Sequence, residues 1–369
     1  MNPSWYSVSN AADIPSPALL IYRERVDENF RRMIAMVGDP NRLRPHIKTH
    51  KLPELVKRQL ELGITRLKCA TIAEAEMAAS SGAPDVLVAS QPVGPGVRRL
   101  ARIAKQFPQT QFSTTLDDAD VIRALSRAAD ESGVRLGAWI DLDVGLHRTG
   151  APPGPVALAL VRQICDVPGL YFAGLHAYDG HIVEADPIRR AALCDAAFEP
   201  VTALMSQLDE AGLQAPALVV GGSPTFPMHA RRAGVQCSPG TTVLWDAGYS
   251  HRFPDLKFLP AAVLLTRVIS HPFPGRICVD LGHKAVASEM PPPRALFPDL
   301  PDAKFVSHSE EHLVLETSSA DLLRTGHELY AIPWHVCPTV ALHAEVWVVE
   351  SGVAGTRWPV TARARRLSI

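Results

Sequence analysis

Residues 44–51 read RPHIKTHK and end the first of a series of short strands that decides the fold. Alternation along this strand, residues 42–48, places Arg44, His46 and Lys48 on one face. Three interpretations are open at this point. The segment is a solvated charged patch, a nucleic-acid contact, or a strand that carries a reactive lysine.

Seven further β-rich runs follow, most of them separated by Ala- and Leu-rich amphipathic segments. The runs are 66–70, 85–90, 111–116, 134–144, 170–180, 216–222 and 241–246. Eight strand-helix units in ~200 residues predict a (β/α)8 TIM-like barrel, in which active sites lie where strands end and loops begin. A doubly wound parallel sheet is the alternative.

The texture of the sequence changes from about residue 255, where Pro-rich loops separate isolated strands. The strands are AAVLLTRVI, RICVDLG, HLVLE, ELYAIP and AEVWVVE. They predict a second, mostly β domain. We therefore expect a barrel over residues 20–250 and a mostly β domain formed by 1–19 and 251–369. An early strand, PALLIY at 17–22, fits either domain.

Composition narrows the class of protein. The 369 residues carry 37 Lys and Arg against 38 Asp and Glu, so the chain lacks the basic field on which sequence-independent nucleic-acid binding relies. The sequence has no apolar run long enough to cross a membrane and no signal-peptide pattern at its start. Six scattered cysteines without a C-x-x-C pair predict buried thiols rather than disulfides. We expect a soluble, cytoplasmic protein without nucleic-acid or membrane partners.

Lys48 is the first candidate for chemistry. In a barrel, its face of the first strand is the interior, where burial disfavours an ammonium group and lowers the lysine pKa. An amine with a lowered pKa is a nucleophile that can form a Schiff base with a carbonyl cofactor. The alternative is a lysine at the strand end that extends into solvent.

Two loops near the end of the barrel carry small residues that suit an anion. VVGGSPTF (219–226) and SPGTTVLWD (238–246) follow one another in the strand order. Barrels commonly bind phosphate at this corner, with backbone amides as donors. The candidates are Gly222, Ser223, Thr225, Gly240 and Thr241. A tight strand-to-helix turn would have the same sequence.

Six motifs in order resemble the D-threonine aldolase and eukaryotic-type D-serine dehydratase family. They are RPHIKTHK, GLHRTG (145–150), HAYDGH (176–181), GGSPTF, PGTTVLWD and HVCPT (335–339). The resemblance covers nearly the whole chain. It implies the alanine-racemase-like fold (fold type III), pyridoxal 5'-phosphate as cofactor, a Schiff base between that cofactor and Lys48, and a homodimer.

Three further residues take candidate roles beside that resemblance. Arg148, after the fifth strand, is expected near the cofactor ring or its phenolic oxygen. Tyr178, after the sixth, is expected near the ring nitrogen, and His181 is a candidate base or metal-water partner. A salt-bridging arginine, a strand-end tyrosine and a loop histidine are the alternatives.

His335 and Cys337 are the candidate metal ligands. In an extended segment, side chains two residues apart project to the same side, so imidazole and thiolate can share one ion. The family resemblance implies a divalent metal here. Cysteine favours zinc and resembles the D-serine dehydratases, whereas aldolase relatives with an aspartate use manganese or magnesium.

The preferred hypothesis is a pyridoxal-phosphate- and metal-dependent lyase that acts on D-3-hydroxy amino acids, named first as a D-threonine aldolase. A zinc-dependent D-serine dehydratase is the second, favoured by Cys337. A cofactor-binding regulatory protein without turnover is the third, and the second domain argues against it. An amino-acid racemase would have no need of the His335 and Cys337 pair.

Overall fold

The computed structural model describes residues 4–368 and contains two compact units, defined here as the barrel unit and the sheet unit. The barrel unit consists of Met33–Lys48, Pro53–Gly240 and residues 364–368. The sheet unit consists of residues 4–32, Thr49–Leu52 and Thr241–Arg363. The predicted domain limits stay a prediction, and their ends at residues 1–3 and 369 lie outside the described residues.

The strands alternate with helices in the first two thirds of the chain and follow one another in the last third. In chain order the strands are Ala18–Tyr22 (β1), Arg66–Cys69 (β2), Asp85–Val88 (β3), Gln111–Leu116 (β4), Leu136–Leu142 (β5), Leu170–Ala177 (β6), Leu218–Val220 (β7), Val235–Cys237 (β8), Ala262–Phe273 (β9), Arg276–Val279 (β10), Ala295–Leu296 (β11), Lys304–His308 (β12), Leu313–Glu316 (β13), Glu328–Pro333 (β14), Glu345–Glu350 (β15) and Val353–Pro359 (β16).

The helices of the described chain are mostly short, and some of them begin at a side-chain cap. They are Arg23–Val37 (α1), Pro53–Glu61 (α2), Ile72–Ser80 (α3), Pro95–Gln106 (α4), Ala119–Ser132 (α5), Pro155–Asp166 (α6), Pro187–Glu210 (α7), Phe226–Ala230 (α8), Ala247–Arg252 (α9) and Val336–Leu342 (α10). Thr71, Asp118 and Asp186 accept backbone N–H bonds at the starts of α3, α5 and α7. None of the helices in residues 4–368 is both long and apolar enough to span a bilayer.

The barrel unit is built on a parallel sheet whose strands follow the chain order β2-β3-β4-β5-β6-β7-β8. Residues 43–46 bridge its two edges, since Leu43 pairs with Cys237 of β8 and His46 pairs with Lys68 of β2. The sheet thus closes on itself, and the predicted alanine-racemase-like barrel with its mostly β second unit is confirmed.

Two of the eight predicted barrel strands are wrong in detail. The run at 42–48 forms only isolated bridges, and Ile47–Thr49 is a 3₁₀ turn. The run at 241–246 is not a strand either, because Thr241–Val243 is a second 3₁₀ turn and the last barrel strand is the shorter β8. A strand of three residues is too short to give a clear alternation signal.

The sheet unit contains a mixed sheet in the order β12-β13-β10-β9-β1-β15-β16, and β14 pairs with β9 and β11. The early strand β1 belongs to this sheet, where it runs antiparallel to β9 and parallel to β15. Its five residues are all buried. The β-rich character expected after residue 255 is therefore confirmed.

A buried ion pair stabilises the amino-terminal end of the barrel. Arg44 is 1% exposed, and its guanidinium binds both carboxylate oxygens of Asp85 at 2.6 and 2.7 Å. Its Nε donates to Gln236 at 2.7 Å. The planar fork of Arg44 matches the carboxylate, so the pair is bidentate.

Replacing Asp85 with asparagine is expected to lower the stability of the barrel unit by about 2 kcal/mol, because the Arg44 charge stays buried without its partner. The expected loss is smaller than for a fully buried pair, since the Asp85 side chain is 23% exposed. Urea unfolding midpoints measure it. Glu61→Gln, which breaks the exposed Arg58 pair, is the matched control and should cost below about 1 kcal/mol; equal midpoints for both variants would contradict the prediction.

Candidate active site

A cavity of about 330 Å³ lies at the carboxyl ends of the barrel strands. This is the end at which barrel enzymes place their chemistry. Its polar lining includes the side chains of His46, Lys48, Lys68, Asp117, Asp141, Arg148, Thr149, His176 and Tyr178. Two lysines in one cavity, where a single lysine was expected, define the site.

Lys48 enters the cavity from the 3₁₀ turn Ile47–Thr49 rather than from a regular strand. Its backbone N–H donates to Nδ1 of His46 at 3.3 Å, which fixes the turn. The side chain is half-buried. The placement at the cavity wall suits the predicted role as the amine that forms a Schiff base.

Lys68, on β2, is the second lysine and was not singled out from the sequence. It is 2% exposed, and its Nζ lies 3.4 Å from Nε2 of His176. Burial and, to a lesser extent, the charge of Lys48 lower the pKa of Lys68 to about 7, against the opposite effect of Asp141. His176 in turn places Nδ1 at 2.7 Å from Oδ1 of Asp141.

Arg148 and Tyr178 both line the cavity, and their predicted roles beside a cofactor ring stay predictions. The Arg148 guanidinium carbon lies 5.1 Å from the centre of the Tyr178 ring. The ring also packs on glycines, because a Cβ built on Gly222 would lie 2.9 Å from Tyr178 Cε2. Gly222 therefore permits the close approach of two loops.

Gly222→Ala is expected to displace the Tyr178 ring, because the new methyl group overlaps it. We expect weaker binding of any ligand that rests on this wall, by roughly 10-fold for a loss of about 1.4 kcal/mol. Fluorescence titration of pyridoxal phosphate measures the effect. Gly355→Ala is the control, since nothing lies within 4 Å of its Cβ position; unchanged affinity in Gly222→Ala would rule out this contact.

The predicted phosphate loops have a specific hydrogen-bond pattern. The Gly222 N–H donates to Oγ1 of Thr225 at 3.2 Å, and that hydroxyl donates to Asp179 at 2.8 Å. The Gly240 N–H donates to Oγ of Ser223 at 3.1 Å. These donors already bind protein atoms, so the loops are held together internally.

Ser238 offers a hydroxyl that the sequence did not single out. Its Oγ is buried, and within residues 4–368 it has no hydrogen-bond partner. Ser238 directly follows β8 and pairs its N–H with Val220 of β7. A free buried hydroxyl at this corner suits a phosphate oxygen.

A buried cluster in the barrel unit consists of Asp179, Cys194 and His229, whose ligand atoms lie within 4.8 Å of one another. Carboxylate, thiol and imidazole form a donor set that zinc accepts. Nε2 of His229 lies 2.8 Å from Asp179 Oδ2 and 3.3 Å from Cys194 Sγ. Burial raises the pKa of the Cys194 thiol to about 12.

The position of the proton on the His229 imidazole favours a hydrogen-bond network over a metal centre in this cluster. Its Nδ1 has no partner in the described part of the chain, so the proton belongs on Nε2, toward Asp179. A metal on Nε2 would leave a buried Nδ1–H without an acceptor, at a cost of about 1–3 kcal/mol. Thr225 binds the other oxygen of the same carboxylate, which joins the network to the loop after β7.

In the sheet unit, His335 and Cys337 lie together, but for a different reason than expected. The extended segment assumed from the sequence is wrong, because His335 is the N-cap of α10 and Cys337 lies in its first turn. The imidazole and the thiol nevertheless interact, since each shifts the pKa of the other. Asp246 holds this turn, since its Oδ2 accepts the Val336 N–H at 3.0 Å.

The surroundings of the pair favour a thiolate. Burial opposes ionisation of Cys337, but the hydrogen bond and charge of His335 outweigh it, so the pKa of Cys337 is lowered. Burial likewise opposes the imidazolium, and Cys337 and Glu289 raise the pKa of His335 to about 9. Sγ lies 3.2 Å from Thr49 Oγ1 and 3.6 Å from Thr241 Oγ1. The hydroxyl of Thr241, predicted at the phosphate, thus contacts the Cys337 thiol.

Glu289 contacts the imidazole of His335 and thereby orients this candidate metal ligand. Its Oε1 lies 2.5 Å from Nδ1 of His335, so Nε2 is the imidazole nitrogen that this contact leaves available to a metal ion. Histidines that bind metals usually donate their other nitrogen to a carboxylate. Glu289 was not predicted from the sequence, because it is 46 residues away in the chain.

His181, the predicted base, lies outside the cavity. It is exposed, and its ring lies against Gly145, where a Cβ would come 3.0 Å from Nε2. It is not among the cavity-lining residues. Its role as a base stays a prediction.

Comparisons with known proteins agree with this architecture. Residues 21–244 match the family described as "Alanine racemase, N-terminal domain", and residues 261–349 match the "Putative serine dehydratase domain". The D-threonine aldolase of Arthrobacter sp is 31% identical over 95% of this chain and 93% of that protein. The 3-hydroxy-D-aspartate aldolase of Paracoccus denitrificans (strain Pd 1222) is 31% identical over 96% of this chain and 93% of that protein.

The solved structure of D-threonine aldolase from Filomicrobium marinum has a TM-score of 0.89 to this chain at 29% identity, and covers 98% of this chain and 99% of its own. The alanine-racemase-like class thus follows from the fold and from the matched family. Within that class, the chain belongs to the D-threonine aldolase and D-serine dehydratase family, and the resemblance seen in its motifs is confirmed.

The family depends on pyridoxal phosphate, and the barrel cavity fits that cofactor. The cavity offers a lysine at its wall, an arginine and a tyrosine side by side, and the free hydroxyl of Ser238 at the neighbouring loop. Its volume of about 330 Å³ lies within the usual range for a ligand pocket. Lys48, Arg148 and Tyr178 are the residues that would hold it.

Proposed function

We propose that this protein is a pyridoxal-phosphate- and divalent-metal-dependent lyase that cleaves D-3-hydroxy amino acids, with D-threonine aldolase as the first candidate. The reaction would convert the substrate to glycine and an aldehyde. The observation that carries the proposal is the lysine-lined cavity at the carboxyl ends of the barrel strands, in a chain that also carries the His335 and Cys337 pair. Family membership supports the cofactor and the lyase class.

Different residues of the barrel unit would bind different parts of the cofactor. Bound pyridoxal phosphate supplies an electron sink for negative charge at the substrate α-carbon. Lys48 would hold the cofactor covalently, and Arg148 and Tyr178 would orient its ring. Tyr178 offers that ring a neutral partner. With a neutral partner the ring is a weaker electron sink than with an aspartate, so the build-up of negative charge at the substrate α-carbon is restrained.

His335 and Cys337 are proposed as the ligands of a divalent ion, with Glu289 fixing the imidazole. Thiolate and imidazole together favour zinc over manganese or magnesium. The ion supplies Lewis acidity toward a hydroxyl group. The residues proposed to surround the phosphate are Gly222, Ser223, Thr225, Gly240 and Thr241. His181 is proposed as a base.

The second candidate function is a zinc-dependent D-serine dehydratase. Cys337 favours it, because a thiolate suits zinc, and so does the match of residues 261–349 to a serine dehydratase domain. In that reaction the hydroxyl group leaves, and the products are pyruvate and ammonia. Both candidates need the same cofactor-bearing lysine and the same metal.

Product analysis tests the proposal. The protein is supplied with pyridoxal phosphate and with zinc or manganese, and then incubated with D-threonine, L-threonine or D-serine. Glycine and acetaldehyde from D-threonine support the aldolase, whereas an oxoacid and ammonia from D-serine support the dehydratase. No turnover of any 3-hydroxy amino acid under these conditions would contradict both.

We also propose that the enzyme is a cytoplasmic homodimer. The family resemblance supports the dimer. Sedimentation equilibrium of the purified protein measures the assembly. A mass of one chain across the micromolar range would contradict the dimer.

A further inference from the structure

The cavity contains one lysine more than the proposed function uses. Lys68 lies on β2 with its side chain in the cavity, and it is almost completely buried. Its Nζ lies 3.4 Å from Nε2 of His176, and Nδ1 of His176 lies 2.7 Å from Oδ1 of Asp141. The three residues form a hydrogen-bonded chain that ends in a primary amine at the cavity.

The direction of these hydrogen bonds follows from the carboxylate at the far end. Asp141 can only accept, so His176 donates from Nδ1 and presents the lone pair of Nε2 to Lys68. Thr149 donates to the second oxygen of Asp141 at 2.9 Å, which fixes the carboxylate. Lys68 therefore always donates one N–H to His176, and the rest of its amine faces the cavity.

Charged groups of both signs surround Lys68. Lys48 and Arg44 disfavour its ammonium form, and Asp141 and Asp179 favour it. The Tyr178 ring lies 5.5 Å from Nζ on a further side. Burial is the largest influence and lowers the pKa of Lys68 to about 7, so both protonation states are present near neutral pH.

We propose that Lys68 is a second catalytic base of the lyase, held in position by His176 and Asp141. This proposal rests on the proposed aldolase function. In the cleavage, Nζ of Lys68 takes the proton of the substrate β-hydroxyl. The O–H electron pair forms the aldehyde C=O bond, and the broken Cα–Cβ bond leaves its pair on the α-carbon.

The same proton completes the reaction. The α-carbon needs one proton to become glycine, and the Lys68 ammonium can return the one it took. No oxidant or reductant is required, since the substrate equals glycine plus aldehyde in atoms and electrons. Of the two lysines that line the cavity, Lys48 is assigned to the cofactor, which leaves Lys68 as the amine available for this role.

Two substitutions separate a base from a structural lysine. Lys68→Met removes the amine, whereas Lys68→Arg keeps the positive charge but cannot act as a base. We expect both to lower kcat for D-threonine cleavage by at least about 100-fold, as is usual for loss of a general base. Both should keep the cofactor on Lys48 after borohydride reduction, and the wild-type rate should rise with pH through about 7, where Lys68 loses its proton.

A readout without turnover is the NMR titration of the full chain labelled with [ε-¹³C]lysine, measured with and without pyridoxal phosphate. One resonance that Lys68→Met lacks should titrate near pH 7, well below ordinary lysines. Lys57→Met, an exposed lysine on α2, is the control for both measurements.

The outcomes distinguish the proposed role of Lys68 as a base from the proposed lyase function. An active wild type together with an active Lys68→Arg variant, or a Lys68 resonance that titrates with the ordinary lysines, overturns the base and leaves the lyase standing. A wild type that cleaves no 3-hydroxy amino acid, while Lys68 still titrates near 7, overturns the lyase function and with it the role of Lys68.

Discussion

Lys48→Ala is expected to lower the rate of D-threonine cleavage by at least about 10³-fold, because it removes the amine that holds the cofactor. Lys48→Arg should be equally inactive, since a guanidinium does not form a Schiff base under these conditions. Glycine release, measured with saturating pyridoxal phosphate and metal, gives the rate. The fold should be unaffected, because Lys48 lies in a 3₁₀ turn at the cavity wall rather than in the core.

Exposed lysines supply the control for this substitution. Lys57 lies on α2 and is exposed, so the Lys57→Ala variant should keep the wild-type rate. A Lys48→Ala protein that cleaves D-threonine within about 10-fold of wild type would show that another amine, with Lys68 the obvious candidate, carries the cofactor.

Cys337→Ala is expected to keep bound pyridoxal phosphate but to lose at least about 100-fold in lyase activity. Cys337 is not among the residues that line the cavity, so loss of the thiol should not release the cofactor. Metal content by elemental analysis should fall in parallel with activity. Cys165→Ala, an exposed free thiol, is the matched control and should bind metal normally.

Cys337→Asp separates the two candidate reactions. If the protein is an aldolase, an oxygen ligand should support cleavage with manganese. If it is a zinc dehydratase, turnover should collapse with either metal. Wild-type activity that survives exhaustive chelation, with the absence of metal verified, would refute a metal site at His335 and Cys337.

The barrel could be predicted from sequence because its strands are spaced by amphipathic helices, and the second unit because isolated strands replace that rhythm after residue 255. The first and last strands of the barrel could not be predicted correctly. The segment 42–48 looks like a strand but makes only bridges, and β8 is just Val235–Cys237. Such short pairings are set by the neighbouring strands, not by their own composition.

The candidate site shows the same limit. His335 and Cys337 were paired on the assumption of an extended segment, whereas the structure brings them near each other at a helix N-terminus, and their role as metal ligands stays a prediction. Lys68 lies in the predicted strand at 66–70 and received no role from the sequence, since its importance depends on His176, which lies 108 residues away. Contacts at that separation leave no periodic signal in one sequence.

Ser238 and Glu289 were missed for a related reason. Ser238 stood inside a quoted loop, but a serine there looks like any turn residue until its hydroxyl is seen to lack a partner in the described chain. Glu289 lies in a Pro-rich stretch without a motif, and only its contact with His335 marks it. Burial and hydrogen bonding, rather than residue type, identify both.

The attachment point of the cofactor tests the central claim most directly. The holoenzyme is reduced with borohydride, digested, and mapped by mass spectrometry. The account predicts a pyridoxyl group on Lys48, in the peptide that contains residues 44–51, and on no other lysine. A pyridoxyl group on Lys68, or a protein that carries no pyridoxyl group after loading and reduction, would contradict it.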